Sequence, residues 1–278
     1  AQKLKGSKIY LDFPSVGATE NLLMAAALAE GETVIENAAR EPEIKNLIET
    51  LNRMGCSIDG SGTGTLHVQG TSELKGCEIE IIPDRIEAST YLIAGAATRG
   101  DVTVSRVIPE HLDAITAKLE EVGVGIETGE DRVRAFCKDP MKSVSLKTLP
   151  YPGFPTDVQP QFTALMAISE GTSIIQEGVF ESRFLHVSEL KRMGANIELQ
   201  GNTAVVSGVP SLNGADVRAT DLRAGAALVI AGLSSPDETS LFGLGHIWRG
   251  YERMDEKIRS LGGRVKIVVS EENGDPKW

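Results

Sequence analysis

The sequence predicts an α/β (α+β) protein built from repeated βαβαββ units, with apolar helices inside and strands and charged helices around them, as an inside-out α/β barrel. Three features predict it: four apolar helical runs, four charged helices that each close on glycine, and β-branched segments between them. The closing glycines recur at intervals of 68, 71 and 68 residues, at Gly55, Gly123, Gly194 and Gly262. Because such a unit cannot bury its apolar face alone, neighbouring copies must pack together.

Each copy contains an apolar helix that begins at a residue able to cap it. These helices are predicted within 15–31, 84–100, 156–171 and 220–237. They are apolar on nearly all sides, which predicts that they are buried rather than lying on a surface. The candidate N-caps are Ser15, Asp84, Asp157 and Asp221.

The remaining elements follow a fixed order in the first copy. A strand at 8–13 precedes the apolar helix, and a β-branched segment at 32–38 follows it. The second helix, 41–55, has apolar residues at helical spacing and ends at its glycine. A hairpin within 56–70, whose two strands are separated by glycines, completes the βαβαββ unit.

The other copies repeat this order with different surface residues. Their strands are predicted at 78–83, 102–107, 172–179 and 239–244, and their hairpin segments at 125–136, 196–208 and 264–270. The weakest seam between copies lies at 76–83, and the polar tail 271–278 is expected to fray.

The composition describes a globular protein and argues against several partners. With 28 basic and 39 acidic residues the net charge is −11, which disfavours nucleic acid and anionic membranes. No apolar run has membrane-spanning length and no signal-peptide core is evident, so we expect a cytoplasmic protein. The cysteines Cys56, Cys77 and Cys137 lack metal-type spacing and no common cofactor motif occurs, so we expect neither a metal nor a cofactor.

The starts of the apolar helices contain the first candidate site residues. Arg85 and Arg223 lie where the positive end of the helix dipole repels a cation, which indicates that an anion binds nearby. Asp157 follows Pro152 and Pro155, which force an extended backbone before the helix. That rigidity suits a carboxylate that accepts or orients a hydroxyl hydrogen, and a helix cap is an equally good interpretation of Asp157.

Two further arginines stand among aromatic residues at corresponding points of their copies. Arg183 lies in VFESRFLH and Arg249 in HIWRGYER. Aromatic neighbours favour an oriented guanidinium, whereas the adjacent Glu181 and Glu252 offer structural ion pairs as the alternative. The glycine turn SVGAT (15–19) is compatible with backbone contact to a phosphate or nucleotide, which is a generic signal on its own.

Seven segments together resemble one family. They are PSVGATEN (14–21), ENAAREPEI (36–44), IIPDRIEAS (81–89), FPTDVQ (154–159), VFESRFLH (179–186), ATDLRAGAAL (219–228) and HIWRGYER (246–253). On these motifs the chain resembles the UDP-N-acetylglucosamine enolpyruvyltransferases along essentially its whole length. It matches about the last two-thirds of the usual sequence of that family.

The resemblance implies a particular domain organisation. The family fold is a pair of inside-out α/β barrels, each of three βαβαββ units, with the active site in the cleft between them. By that comparison 1–82 is the third unit of the first, catalytic domain, and 83–278 is the second domain with its three units. Two units of the first domain are then absent from this chain.

The resemblance also implies a reaction and roles for residues. The family transfers the enolpyruvyl group of phosphoenolpyruvate to the sugar 3′-hydroxyl through a tetrahedral adduct that loses phosphate, which is the first committed step of peptidoglycan synthesis. Asp157 would face the hydroxyl as base or orienting group. Arg223 and Arg249 would bind phosphoenolpyruvate, and Asp221 and Arg183 would support proton transfer and substrate placement. The positions that match contacts of the UDP-sugar are Phe13, Pro14, Ser15, Val16, Asp157 and Val179.

The general acid of the family is a cysteine on a loop in the part of the sequence that this chain does not match. We therefore expect the chain as written to be inactive alone, with the missing amino-terminal half as its candidate partner. Two alternatives stay open. One is a non-catalytic fragment or paralogue that binds a UDP-sugar, and the other is a 3-phosphoshikimate enolpyruvyltransferase, which the motifs favour less.

Overall fold

The computed structural model describes residues 3–269 and 276–277 of the chain. It divides into two compact units, Ala1–Pro83 with Pro150–Gly153, and Asp84–Leu149 with Phe154–Trp278. The first unit contains one copy of the repeat and the second contains three. The tail 271–278, for which fraying is predicted, lies outside the described residues except for 276–277.

The first unit has the βαβαββ order that the repeat predicts. Its elements are β1 (Lys8–Tyr10), α1 (Val16–Ala26), β2 (Glu32–Glu36), α2 (Pro42–Arg53), β3 (Ser57–Asp59) and β4 (Thr65–Gln69). The sheet order is β1-β2-β4-β3, with β1 parallel to β2 and the other neighbours antiparallel. A parallel pair requires a crossover, which α1 supplies, and the predicted hairpin β3–β4 is confirmed.

The second unit repeats this scheme. Its first copy consists of α3 (Arg85–Ala97), β5 (Asp101–Ser105), α4 (Asp113–Val122), β6 (Gly125–Thr128) and β7 (Arg132–Phe136). The next consists of β8 (Leu146–Lys147), α5 (Gln159–Met166), β9 (Thr172–Gln176), α6 (His186–Arg192), β10 (Asn196–Gln200) and β11 (Thr203–Ser207). The last consists of β12 (Asp216–Arg218), α7 (Leu222–Ser234), β13 (Ser240–Phe242), α8 (Gly245–Trp248), α9 (Met254–Ser260), β14 (Val268–Val269) and β15 (Pro276–Lys277). The sheets read β5-β7-β6, β10-β11-β9-β8, β12-β13 and β14-β15.

The glycines that close the second helices all have left-handed backbone. Their φ values are 102° at Gly55, 101° at Gly123, 91° at Gly194 and 90° at Gly262. A Cβ on Gly55, Gly123 or Gly262 would meet nothing within 4 Å, so the φ angle rather than crowding requires glycine. The period of the repeat therefore marks the points where the second helices end.

The strand predicted at 78–83 is wrong. These residues are described and contain no strand. Their backbone groups bond instead to the side chain of Asn46 on α2, which donates to the Glu80 carbonyl at 3.4 Å and accepts from the Ile82 N–H at 3.5 Å. Because a helix side chain takes the place of a neighbouring strand, the β-branched composition gives an extended segment without a ladder.

The apolar helices behave differently in the two units. In the second unit α3, α5 and α7 pack against one another, and their large apolar side chains are fully buried, which confirms the prediction: Leu92, Ile93, Phe162, Leu165, Leu228 and Ile230. For α1 the predicted burial on all sides is wrong, because only Thr19, Leu23 and Ala26 are buried and Met24 remains 49% exposed. The described part of the first unit has no second apolar helix to cover that face.

Candidate active site

Asp157 occupies a 3₁₀ turn, Thr156–Val158, immediately before α5. Its Oδ1 accepts a hydrogen bond from Nη2 of Arg183 at 2.7 Å, and its Oδ2 accepts one from Nη2 of Arg223 at 2.7 Å. Within the described residues its side chain makes no capping hydrogen bond to the helix. Of the two sequence interpretations of Asp157, the helix cap is therefore excluded and a positioned carboxylate remains.

Arg183 is fixed on three sides. Its Nε donates to the Thr156 hydroxyl at 3.1 Å, and its guanidinium carbon lies 4.4 Å from the centre of the Phe180 ring. The charged face of a guanidinium is attracted to an aromatic face at this distance. Its side chain is only 12% exposed and pairs with Asp157, so the structural ion pair with Glu181 that the sequence allowed is not the one that forms.

Arg223 lies at the second position of α7, where the helix dipole alone would repel it. Oδ1 of Asp221 accepts the backbone N–H groups of Arg223 at 2.8 Å and Ala224 at 2.9 Å, so Asp221 is the N-cap. The carboxylates of Asp221 and Asp157 therefore offset the repulsion between the helix dipole and Arg223. Asp221 stabilises the helix start that carries it, and Asp157 pairs with its guanidinium.

The charges of this cluster shift the pKa values of its members. Burial by itself raises the pKa of Asp157, but the charges of Arg223, Arg183 and Arg85 outweigh burial and hold it below the ordinary 3.8. Burial opposes ionisation of Arg223 as well, yet Asp157 and Tyr251 raise the pKa of the guanidinium above its ordinary value. Asp157 is therefore ionised and paired with the charged guanidiniums of Arg183 and Arg223 throughout the neutral pH range.

A buried polar network adjoins Asp157. Tyr251 and Thr90 share a hydrogen bond of 2.9 Å between their hydroxyls, and Gln161 Nε2 donates both to Thr90 Oγ1 at 3.2 Å and to the Asp157 carbonyl at 3.0 Å. Burial raises the pKa of Tyr251. Since Thr90 is on α3 and Gln161 on α5, this network connects two core helices to the backbone of Asp157.

The remaining predicted arginines differ in their surroundings. Arg85 is the first residue of α3 and acts electrostatically on Asp157. Arg249 follows α8 and is exposed, and within the described part of the chain its guanidinium has no hydrogen bond or ion pair. The ion pair with Glu252 that the sequence allowed therefore does not form in the described structure, and Arg249 is accessible to an anion.

The residues expected to contact a UDP-sugar fall in both units. Phe13, Pro14, Ser15 and Val16 surround the start of α1, where Ser15 caps the helix by accepting the Ala18 N–H at 3.3 Å. Val179 follows β9 in the second unit, and its N–H donates to Oε1 of Glu177 at 2.8 Å. Each position is thus on a loop or helix start held by hydrogen bonds.

The three cysteines are free thiols, and two of them are buried. Burial raises the pKa of the Cys56 and Cys137 thiols, and Cys77 is exposed with its Sγ 3.8 Å from the Thr50 carbonyl. Among the described residues no group of three His, Cys, Asp or Glu side chains is placed to hold a metal ion. None of the helices in 3–269 is long and apolar enough to cross a membrane.

Five residues of the ion-pair cluster and of its adjoining network were not singled out from the sequence: Thr90, Thr156, Gln161, Glu177 and Tyr251. Gln161 carried a signal, because a glutamine in the otherwise apolar run QPQFTALM must find buried partners. Tyr251 carried a weaker one as the neighbour of Arg249. Nothing local identified Thr156 or Glu177, because the side chains that they bond to are 21 or more residues away in sequence.

A sequence comparison assigns the family. The family model described as EPSP synthase (3-phosphoshikimate 1-carboxyvinyltransferase) matches residues 1–258. The chain belongs to the EPSP synthase family. This membership confirms the enolpyruvyltransferase relationship that the seven motifs indicated.

Two relatives that share one name are more than half identical to the chain over nearly its whole length. The chain is 56% identical over 272 residues to UDP-N-acetylglucosamine 1-carboxyvinyltransferase 1 of Carboxydothermus hydrogenoformans, with 98% of the chain and 65% of that protein covered. It is 55% identical over 265 residues to the protein of the same name from Caldanaerobacter subterraneus subsp. tengcongensis, with 95% and 64% covered. The chain thus spans less than two-thirds of the length of these EPSP synthase family relatives.

Solved structures of the EPSP synthase family share the fold. The enolpyruvyl transferase NikO from Streptomyces tendae superimposes with a TM-score of 0.86 at 28% identity, covering 96% of this chain and 66% of that one. EPSP synthase from Acinetobacter baumannii superimposes with a TM-score of 0.71 at 19% identity, covering 93% and 63%. The mixed α/β fold is therefore that of EPSP synthase-like proteins.

Proposed function

We propose that the protein transfers the enolpyruvyl group of phosphoenolpyruvate to the 3′-hydroxyl of UDP-N-acetylglucosamine and releases phosphate, the first committed step of peptidoglycan synthesis. The observation that carries this proposal is the carboxylate of Asp157, which lies between Arg183 and Arg223 at 2.7 Å from each. The names of the 56% and 55% identical relatives support the choice of substrates.

In this reaction the sugar hydroxyl oxygen bonds to C2 of phosphoenolpyruvate while a proton adds to C3. The tetrahedral adduct then loses a proton from C3 and releases phosphate, which restores the double bond. Asp157 accepts or orients the hydroxyl hydrogen. Arg223 and Arg249 bind the phosphate and carboxylate groups of phosphoenolpyruvate, for which the planar donor pairs of arginine are suited. Arg85 adds a further cation near Asp157.

The ion pairs give Asp157 a basicity that depends on the substrate. With Arg183 and Arg223 paired to it, the pKa of Asp157 is low and the carboxylate is a poor proton acceptor. The anionic groups of phosphoenolpyruvate compete for the same guanidiniums, and this competition raises the proton affinity of Asp157. Asp221 supports proton transfer by holding the start of α7, which carries Arg223.

The positions proposed to contact the UDP-sugar are Phe13, Pro14, Ser15 and Val16 in the first unit, and in the second unit Val179 and, at the sugar hydroxyl, Asp157. The half-buried Val179 has a backbone fixed by Glu177, and the rigid start of α1 presents Ser15. Both substrates are charged and soluble, and the proposed location of the reaction is the cytoplasm.

The fold proposed for 83–278, which contains the whole second unit, is an inside-out barrel of three βαβαββ repeats in which α3, α5 and α7 form the centre. Their mutual packing and the burial of most of their apolar side chains support it. Residues 1–82 are proposed to be the third repeat of a catalytic domain of the same design. The exposed apolar face of α1 supports that assignment, because it offers the surface that two sister helices would cover.

Phosphate release from phosphoenolpyruvate tests the proposal, measured on the protein at its full natural length with UDP-N-acetylglucosamine or 3-phosphoshikimate as acceptor. We expect release with the UDP-sugar alone. Release only with 3-phosphoshikimate would assign the alternative reaction, and release with neither would refute the proposal. The chain as given is assayed in parallel and is expected to release no phosphate, because no general acid is assigned among its residues.

A further inference from the structure

A buried carboxylate outside the ion-pair cluster accepts four hydrogen bonds. Glu177, at the end of β9, is 3% exposed. Its Oε1 accepts from the Thr148 hydroxyl at 2.6 Å and from the N–H groups of Val179 at 2.8 Å and Phe180 at 3.0 Å, while its Oε2 accepts from the Thr156 hydroxyl at 3.0 Å. A buried carboxylate with this many donors has one well-defined position.

The backbone of Glu177 is fixed as firmly as its side chain. Its N–H donates to the Asn202 carbonyl at 2.8 Å, and its carbonyl accepts from Asn202 Nδ2 at 2.8 Å. Thr148, the first side-chain donor, is itself fully buried and accepts the Gly178 N–H at 2.8 Å. Glu177 is therefore an anchored point next to a cluster whose own members are long, flexible arginines.

Two routes lead from Glu177 to Arg183. Along the first, the Thr156 hydroxyl gives its hydrogen to Glu177 and uses its oxygen to accept from Arg183 Nε at 3.1 Å. Along the second, Glu177 holds the N–H of Phe180, whose ring lies 4.4 Å from the Arg183 guanidinium. Both routes end at the side chain of Arg183, whose Nη2 donates to Asp157 Oδ1.

We infer that Glu177 is a positioning residue for the proposed active site: its carboxylate orients Thr156 and the Val179–Phe180 loop, and through them it holds Arg183 against Asp157. The inference rests on the proposed function only for its effect on catalysis. The orientation of Arg183 is a property of the chain by itself.

The direction of the Glu177–Thr156 hydrogen bond makes a selective test possible. Glu177→Gln keeps size and shape, and its amide oxygen still serves the donors at the Oε1 position. Its NH₂ group then faces Thr156, so that hydroxyl loses its acceptor and turns away from the geometry that receives Arg183 Nε. Thr156→Val removes the same link from the other side, and Thr156→Ser keeps it.

Thr148→Val is the matched control. It removes one hydroxyl donor from Oε1 of the same carboxylate and leaves the hydrogen bonds that run from Oε2 through Thr156 to Arg183 in place. If the substitutions only loosen the Glu177 region, the Thr148 and Thr156 variants should change the Arg183 side chain equally. If Glu177 positions Arg183 through Thr156, only the Thr156→Val variant should change it. Thermal unfolding of each variant is recorded first, to establish that it is folded.

The first readout is solvent exchange of the Arg183 Nε–H, followed by ¹⁵N NMR on the chain and assigned by the loss of its signal in Arg183→Lys. We expect exchange at least about tenfold faster in Glu177→Gln and Thr156→Val, with slow exchange kept in Thr148→Val and restored in Thr156→Ser. Equal exchange in the Thr148 and Thr156 variants would overturn the inference. If Glu177→Gln does not fold, the threonine variants decide by themselves.

The second readout is kcat/KM for phosphate release by the protein at its full natural length. Misplacement of a positioned group by about 1 Å lowers rates by about 100-fold, and we expect a loss of that size in Glu177→Gln, with KM for UDP-N-acetylglucosamine changing less than kcat. A wild-type protein without phosphate release refutes the proposed function, while the exchange measurement still tests the positioning role. Faster exchange together with unchanged kcat/KM would refute the catalytic part of the inference.

Discussion

The starts of α5 and α7 occupy equivalent places in their repeats. Each carries an aspartate, but the two side chains bond to different kinds of partner. Asp221 caps α7 through two backbone N–H groups, as Asp84 does at α3 with Ile86 at 2.7 Å and Glu87 at 3.0 Å. Asp157 makes no such bond in the described structure and receives two guanidiniums instead. A repeat position that caps a helix in two copies forms two ion pairs with arginines in the third.

The backbone of α5 explains why Asp157 is available. The helix begins after a 3₁₀ turn, where the Gln159 N–H already bonds to the Thr156 carbonyl, and Pro160 has no N–H to satisfy. At α7 the corresponding N–H groups of Arg223 and Ala224 need an acceptor, which Asp221 supplies. Because Pro160 in the first turn has no N–H that needs an acceptor, the carboxylate of Asp157 is left to bond to other partners.

The largest expected effect is on Asp157→Asn. A neutral amide cannot take up the hydroxyl proton or pair with two guanidiniums, so we expect phosphate release at full natural length to fall by about 10²–10⁴-fold. The control is Asp84→Asn, because asparagine caps a helix as well as aspartate does. If both variants lose activity equally, the distinction between the two helix starts is wrong.

The next largest effect is a loss of folding stability at low pH that arises from His186, a neighbour of Arg183. His186, buried at the start of α6, faces Arg183 and Asp221, and its Nδ1 donates to the Arg183 carbonyl at 3.1 Å. Burial lowers the pKa of His186 from 6.5 to about 4. The unfolded chain therefore binds the proton first, so this contribution to stability is complete above pH 6.5 and is lost as the pH falls toward 4.

His186→Asn keeps an N–H donor and removes the titration. Between pH 6.5 and 4 we expect the wild type to lose up to about 3 kcal/mol more unfolding free energy than this variant. Denaturant unfolding across that interval measures the difference. Parallel losses in the two proteins would show that His186 is already charged in the folded state.

The sequence predicted those features that depend on local chemistry. The closing glycines and the hairpins β3–β4, β6–β7 and β10–β11 follow from backbone preference, and the apolar runs of α3, α5 and α7 follow from composition. The hairpin segment predicted at 264–270 is wrong in its described part, because 264–267 contain no strand and Val268–Val269 pair with Pro276–Lys277. The sequence could not decide whether Asp157 caps a helix or is a positioned carboxylate, because its partners are 26 and 66 residues away. The strand at 78–83 and the full burial of α1 were wrong for a similar reason, since each depends on what the rest of the fold places beside the segment.

A smaller effect tests whether Asp221 is more than a cap. Asp221→Asn keeps the acceptor oxygen but removes the charge beside Arg223, so we expect stability close to wild type and phosphate release lowered about tenfold, equivalent to roughly 1.4 kcal/mol. Asp221→Ala also loses the cap and about 1 kcal/mol of stability. Full activity in the asparagine variant would make Asp221 structural, like Asp84.

The smallest effect concerns the helix start in the first unit. Ser15 caps α1 with one long hydrogen bond, 3.3 Å from Oγ to the Ala18 N–H, on an exposed helix start, whereas Asp84 and Asp221 each accept two shorter ones. We therefore expect Ser15→Ala to lower the unfolding free energy by about 0.5 kcal/mol, at the low end for a cap, and Asp84→Ala by about 1 kcal/mol. Denaturant unfolding of the two alanine variants measures both, with Ser15→Asp as the control that restores a strong acceptor. A loss at Ser15 as large as that at Asp84 would mean that cap geometry does not decide the contribution of these four helix starts, and the contrast between Asp157 and its equivalents would then need another cause.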